Sequence, residues 1–231
     1  TNSLAEWTLS YTIENLQLVK NESPDKFNKI INKTNFEFLK ETGQWQKVID
    51  NLYFPFDNER KVFLQQDAFL DKEIMPANKI PSNERPINQH WSWDRILRSC
   101  FIKQADVLQG LYVFEDKYDT KTIKRNFDFY EPMTVHESSL SACIHSILAS
   151  RIGNIKKAYE LYLRTARLDL DDYNNEVGDG LHITSMAGTW LAIVEGFGGM
   201  RIVDSMVKVN PLIPEKWKSY SFHARFRGVL F

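Results

Sequence analysis

Apolar positions recur at helical spacing through most of this chain and at alternating spacing near its end. Leu4, Trp7, Leu9, Tyr11, Ile13, Leu16 and Leu18 place apolar side chains on nearly every side of a run opened by Ser3, which predicts a helix buried between layers. Ser23-Pro24-Asp25 opens a second helical pattern through Phe27, Ile30 and Ile31, and after a break Phe36, Leu39, Trp45, Val48, Ile49 and Leu52 continue it. From 54 to 88 the periodicity is lost, and only 61–66 suggests a short strand. An irregular stretch of that length in a compact domain is usually functional or mobile.

Helical spacing then returns. Ala105, Val107, Leu108, Leu111, Tyr112 and Phe114 predict a helix over 103–118, and a second covers 120–130 before Glu131-Pro132-Met133 stops it. Residues 139–152 form a helix closed by Gly153, and Asn154 caps another over 155–170, so the two make an αα-hairpin. A last helix spans 184–195 and ends at Gly196-Phe197-Gly198-Gly199. Beyond it Ile202-Val203, Met206-Val207-Lys208-Val209 and 219–227 alternate as strands do. The helices are too many for a four-helix bundle. Hairpins in series fit an αα-barrel, mainly α, with a small β-sheet domain starting near Arg201.

Composition narrows the function classes. An apolar share of 43% with 13% aromatic residues can fill a sizeable core, and a net charge of -1 gives no field that favours nucleic acid or an anionic membrane. No signal peptide or membrane span is visible. Cys100 and Cys143 lie far apart in apolar settings, which suits buried thiols in a reducing cytoplasm. The histidines at 90, 136, 145, 182 and 223 make no chelating motif with them, so no metal is expected. The chain lacks an initial methionine and stops in what looks like an unfinished strand, the expectation being an internal piece of a longer protein.

Two polar clusters flank the hairpin. One is Thr134-Val135-His136-Glu137-Ser138-Ser139-Leu140-Ser141, the other Asp179-Gly180-Leu181-His182-Ile183-Thr184-Ser185-Met186-Ala187-Gly188-Thr189-Trp190. Each sets hydroxyls and one imidazole where a helix is about to begin. Such groups either cap the helix or, with the free amides of its first turn, receive an anion, and two such starts could face one pocket. Lys103 and Gln104 fall at a predicted helix start, where a lysine opposes the dipole; it either meets another requirement or is a solvated surface residue. Asn88-Gln89-His90-Trp91-Ser92-Trp93 has the composition of a sugar-contacting surface and equally of a half-buried turn.

Phe101-Ile102-Lys103-Gln104-Ala105-Asp106-Val107, His136-Glu137-Ser138-Ser139-Leu140-Ser141, Asp179-Gly180-Leu181-His182 with Thr184 to Trp190, and Gly196-Phe197-Gly198-Gly199-Met200-Arg201, in that order, resemble glycoside hydrolase family 65. The resemblance implies an (α/α)6 barrel, with residues 1–200 its C-terminal portion and 201–231 the beginning of the C-terminal β-sheet domain. It implies a cytoplasmic homodimeric glycosyltransferase without a cofactor, with inorganic phosphate as co-substrate. The reaction is inverting phosphorolysis of an α-linked glucosyl disaccharide to β-glucose 1-phosphate and glucose. Among members the likeness is to those acting on maltose, with those acting on kojibiose or trehalose similar in these segments; a non-catalytic helical scaffold or carbohydrate-binding module is the competing class. By that likeness Lys103 and Gln104 bind the glucosyl unit, and Ser138, Ser139, His182, His136 and Thr184 hold phosphate. The family's acid, a glutamate, falls upstream of Thr1, so no catalytic residue is expected in this chain, which alone would be inactive and complete only with an N-terminal β-domain and the first barrel helices. Glu131, Glu137 and Glu195 do not match the acid's motif, and Glu137 either orients a neighbour, contacts a sugar hydroxyl or lies on the surface.

Overall fold

The computed structural model describes residues 1–231, which divide into two compact units, Thr1–Pro55 and Phe56–Phe231. The first unit is three helices, α1 (Asn2–Glu22), α2 (Pro24–Thr34) and α3 (Phe38–Asp50). Pro24 occupies the first turn of α2, where its missing N–H costs nothing, and Asn35 ends that helix in the left-handed region. The expected burial of α1 between layers is not found: no residue of it is buried, and Leu4, Trp7, Tyr11 and Leu18 stay 44–52% exposed. Within its unit α1 packs only on α2 and α3, which cannot cover a helix that is apolar all round. Phe27 is the buried centre, meeting Phe38 edge-on at 5.2 Å.

The second unit begins with a short antiparallel pair, β1 (Phe56–Asp57) and β2 (Val62–Phe63), to which the strand expected over 61–66 is reduced. Three 3-10 turns follow, then the short helices α4 (Ile87–His90) and α5 (Trp93–Arg98). The helix expected over 103–118 is confined to α6 (Val107–Val113). Its first four residues are taken by a longer-range demand. Ile102 N–H donates to Met133 O at 3.0 Å and Val135 N–H to Ile102 O at 2.9 Å, a parallel bridge of Ile102 with Thr134 that requires extended backbone. Lys103 therefore lies outside the helix, and its conflict with the dipole disappears.

Helix α7 (Thr120–Tyr130) matches its prediction and is capped by Asp119, which accepts from Thr122 N–H at 2.7 Å. Helix α8 (Ala142–Arg151) starts later than expected because 138–141 form a turn, with Ser141 N–H on Ser138 O. The next expected helix breaks at Arg167 into α9 (Ile155–Ala166) and α10 (Leu168–Asp171). Gly153 at φ 77 and the Asn154 cap on Lys157 N–H make the predicted hairpin of α8 and α9. The last helix, α11 (Ile183–Leu191), continues into a π-helical turn, Ala192–Phe197. Two antiparallel pairs end the chain, β3 (Arg201–Val203) with β4 (Met206–Lys208) and β5 (Arg225–Phe226) with β6 (Val229–Leu230). Only Arg225–Phe226 of the strand expected over 219–227 forms, because Tyr220 and Phe222 turn inward instead, the Tyr220 hydroxyl donating to Phe197 O and the Phe222 ring lying against Gly198.

Helix α8 is the axis of the core. Every residue from Ala142 to Ala149 is buried, with Ile147, Leu148, Ile123 and Phe197 at its centre. Gly188 lets α11 approach it: a Cβ there would lie 2.8 Å from Cys143 Cβ and 3.4 Å from a Thr165 methyl. Gly188→Val is expected to destabilise the protein by about 1–3 kcal/mol through overpacking, measured by urea unfolding; an unchanged midpoint would mean that α11 docks loosely. No helix is long and apolar enough to cross a membrane.

Candidate functional site

The bridge between Ile102 and Thr134 runs two strands side by side, and the residues that follow each of them meet. Ser138 donates its hydroxyl hydrogen to Gln104 Oε1 at 3.2 Å, and its oxygen accepts from Leu140 N–H at 3.2 Å. Lys103 and Gln104 are exposed beside it, and Ser139 is half-buried in the same turn. Sequence reasoning had these residues in separate elements; the structure joins them.

The second cluster is tied to the same turn of α9 as the first. Arg164 and Thr165 are neighbours in the last turn of α9. Arg164 Nη2 donates to His136 O at 2.9 Å, while Thr165 O accepts from the Ser185 hydroxyl, in the first turn of α11, at 2.7 Å. The loop before α8 and the start of α11 are thus held by consecutive residues. His182, at the N-cap position of α11, is tied to Asp169 twice, backbone N–H to Oδ2 at 2.8 Å and Nδ1 to Oδ1 at 2.6 Å. With Nδ1 carrying the proton to Asp169, Nε2 is the free nitrogen, 3.8 Å from Glu176 Oε2. Those two bonds hold the Asp169 carboxyl below the usual carboxylate range. Thr184 is exposed one residue into the helix.

Neither helix start is capped by the side chain of its own N-cap residue. The N-cap residues of α8 and α11, Ser141 and His182, make no side-chain cap hydrogen bond. The Ser141 hydroxyl goes to His136 Nδ1 at 2.9 Å instead.

His136 is locked in place rather than exposed. It is 8% exposed, its backbone sits at φ 53, and its Nε2 faces both oxygens of Glu131 at 3.3 and 3.4 Å. Both ring nitrogens are occupied, so its imidazole supports the loop from behind. Burial lowers its pKa to about 4, against the opposing pull of Glu131, and it is neutral at pH 7. Glu131 also accepts from His145 Nδ1, and His145 is completely buried with Nε2 unpartnered. Burial would raise the Glu131 pKa, but the hydrogen bonds from both histidines outweigh it and hold the carboxyl below its usual range.

Glu131, His136 and His145 bring a carboxylate and two imidazoles within 4.8 Å of one another, a donor set able to hold a divalent ion. The spacing along the chain gave no sign of it, since His145 is 14 residues from Glu131 and meets it only because α8 folds back against α7. Lys157 Nζ is 3.6 Å from Glu131 Oε1 and works against a cation there, so the arrangement acts as a hydrogen-bonded brace.

The other carboxylates near the clusters are engaged as well. Glu137 is 3% exposed and accepts from Arg85 Nε at 3.0 Å and Ile87 N–H at 2.7 Å, so of the roles open to it the one found is orienting a neighbour. Glu195 accepts the Tyr112 hydroxyl at 2.6 Å. In the 88–93 segment Trp91 donates to Glu84 and has the Arg95 guanidinium 3.6 Å above its ring, whereas Trp93 is 70% exposed. Cys100 and Cys143 are free and buried, and burial pushes the Cys143 thiol up.

Comparison with known proteins places these motifs. Residues 1–191 match the glycosyl hydrolase family 65 central catalytic domain, and residues 200–231 match the glycosyl hydrolase family 65 C-terminal domain. The chain is 48% identical over 230 residues to maltose phosphorylase of Bacillus subtilis (strain 168), covering 100% of this chain and 29% of that protein. It is 42% identical over 228 residues to α,α-trehalose phosphorylase of Thermoanaerobacter brockii, covering 99% of this chain and 29% of that one. A solved structure of a human-microbiome protein, provisionally described as a kojibiose phosphorylase, superposes with a TM-score of 0.85 at 36% identity over 97% of this chain and 31% of its own. The chain spans about three-tenths of the length of these relatives. It is mainly α, as the hairpin pattern predicted, and its helices are part of an (α/α)6 barrel. From the ordered motifs to the superposed helices, the chain belongs to glycosyl hydrolase family 65.

Proposed function

We propose that the chain carries the phosphate site and part of the glucosyl site of an inverting disaccharide phosphorylase acting on maltose. The observation that carries this reading is that two consecutive residues of α9, Arg164 and Thr165, hold one cluster each, with Gln104 on Ser138 in the first of them. Ser138, Ser139 and Thr184 supply hydroxyl donors for a phosphate dianion, His182 Nε2 accepts from the hydroxyl that the dianion keeps, and Lys103 and Gln104 hold the glucosyl unit beside it. His136, with both nitrogens engaged, belongs to the support of the loop.

The chemistry follows from that placement. A phosphate oxygen attacks the anomeric carbon from the face opposite the leaving sugar, the bond from that carbon to the bridging oxygen breaks, and an acid returns a proton to the oxygen that leaves. Because phosphate is itself the nucleophile, a second carboxylate to activate water is not needed. Glu131, Glu137 and Glu195 are all committed elsewhere, which fits an acid supplied by polypeptide preceding Thr1. Maltose is preferred over trehalose by the higher identity to the maltose phosphorylase, 48% against 42%.

Incubating the complete polypeptide with maltose and phosphate is expected to give glucose and β-glucose 1-phosphate in equal amounts, read from the anomeric proton coupling, and nothing without phosphate. Two glucose molecules per maltose in phosphate-free buffer would overturn the reading. Ser139→Ala and His182→Ala are each expected to raise the phosphate KM by about 10–100-fold, the loss of one charge-assisted hydrogen bond.

A further inference from the structure

Two guanidiniums grip consecutive carbonyls of the loop that leads to Ser138. Arg85 Nη2 donates to Val135 O at 2.6 Å, and Arg164 Nη2 donates to His136 O at 2.9 Å. Their charges are not equally balanced. Arg85 pairs with the buried Glu137 at 3.0 Å, whereas Arg164 forms no ion pair and rests 5.0 Å from the Tyr173 ring centroid. Its Nε is buried and has no hydrogen-bond partner. Burial, and next the neighbouring Arg85, hold its pKa below the ordinary arginine value, although Glu137 and Glu131 pull the other way. Leaving a cation in that position costs stability unless something else uses it. An anion above the loop would balance it.

We propose that Arg164 anchors the anion site, fixing the loop that carries Ser138 and Ser139 and supplying the positive charge that a bound phosphate dianion neutralises. This rests on the phosphorylase reading. Arg164 is a positioning residue, because its guanidinium acts through the His136 carbonyl and through its field rather than by direct contact with the reacting atoms. Its neighbour Thr165 holds the start of α11, so adjacent residues of α9 are bonded to both segments that would share the dianion.

The test uses the complete polypeptide, with phosphate affinity measured by isothermal titration and initial rates measured with phosphate and disaccharide varied separately. Arg164→Met is expected to raise the phosphate Kd and KM about tenfold or more while the disaccharide KM stays within about twofold, and Arg164→Lys, which keeps the charge, is expected to recover most of the loss. Equal rises in both KM values, unchanged phosphate affinity, or no recovery with lysine would each overturn the proposal. Should Arg164→Met fail to fold by circular dichroism, folded Arg164→Gln decides by the same measurements. Wild-type protein that binds phosphate without phosphorolysis removes the phosphorylase reading and leaves Arg164 to be judged on Kd alone; wild-type protein that binds no phosphate removes both.

Discussion

Glu131→Ala is expected to lower the unfolding free energy by about 3–5 kcal/mol, since two buried imidazole N–H groups lose their acceptor at a cost of about 1–3 kcal/mol each and a cavity remains. His145 cannot recover by turning to water, because it is completely buried and its other nitrogen already lacks a partner. Lys157 can, with Glu160 at 3.0 Å and part of its side chain in solvent. Glu131→Gln keeps the shape and one acceptor oxygen, so it is expected to recover about half the loss. Urea unfolding of both variants checks this, and a loss under 1 kcal/mol for alanine, below the roughly 1–3 kcal/mol set by a single orphaned donor, would show that the brace is not under load.

Acidification is expected to weaken the protein over a window that starts well above the carboxylate range. His136 is depressed to about 4 in the folded protein against an ordinary value of 6.5, so between those values the unfolded chain binds more protons. The stability it contributes is complete above pH 6.5 and is lost as pH falls towards 4, a loss on the order of 3 kcal/mol from a shift of that size. Glu131 has the same sign at lower pH. Its folded pKa is depressed, so its contribution is present above the ordinary carboxylate range and disappears as the pH falls through its folded value. Unfolding free energies from pH 7 to pH 4 are expected to slope downward for the wild type and to flatten for His136→Asn; a level wild-type profile would refute the buried neutral imidazole.

What the sequence made legible was local. The 3.6-residue spacing gave α7 to within its observed ends, and Gly153 with Asn154 gave the hairpin, because a left-handed glycine and an Asn cap act within one turn of where they stand. The breaks that spacing missed have distant causes. The apolar rhythm from Ala105 to Phe114 is helical, yet 103–106 are held out of α6 by a bridge to Thr134. The apolar surround of α1 was correctly seen, but burial depends on what packs against a helix, and its own unit supplies two neighbours only. Of the site, the residue types and their two clusters were visible. The services of Glu131, Asp169 and Arg164 were not, since each reaches a partner at least 5 residues away and none carries a motif of its own.

The pairing of Ile102 with Thr134 also makes the two loops beyond it a single moving part. Sliding either strand by one position would carry Gln104 away from Ser138 and turn the neighbouring side chains to the opposite face. In the proposed enzyme a slip of that register would therefore loosen the grip on the hexose and on the inorganic co-substrate at once, whereas a change of charge at Arg164, which leaves the register in place, is felt by the phosphate alone.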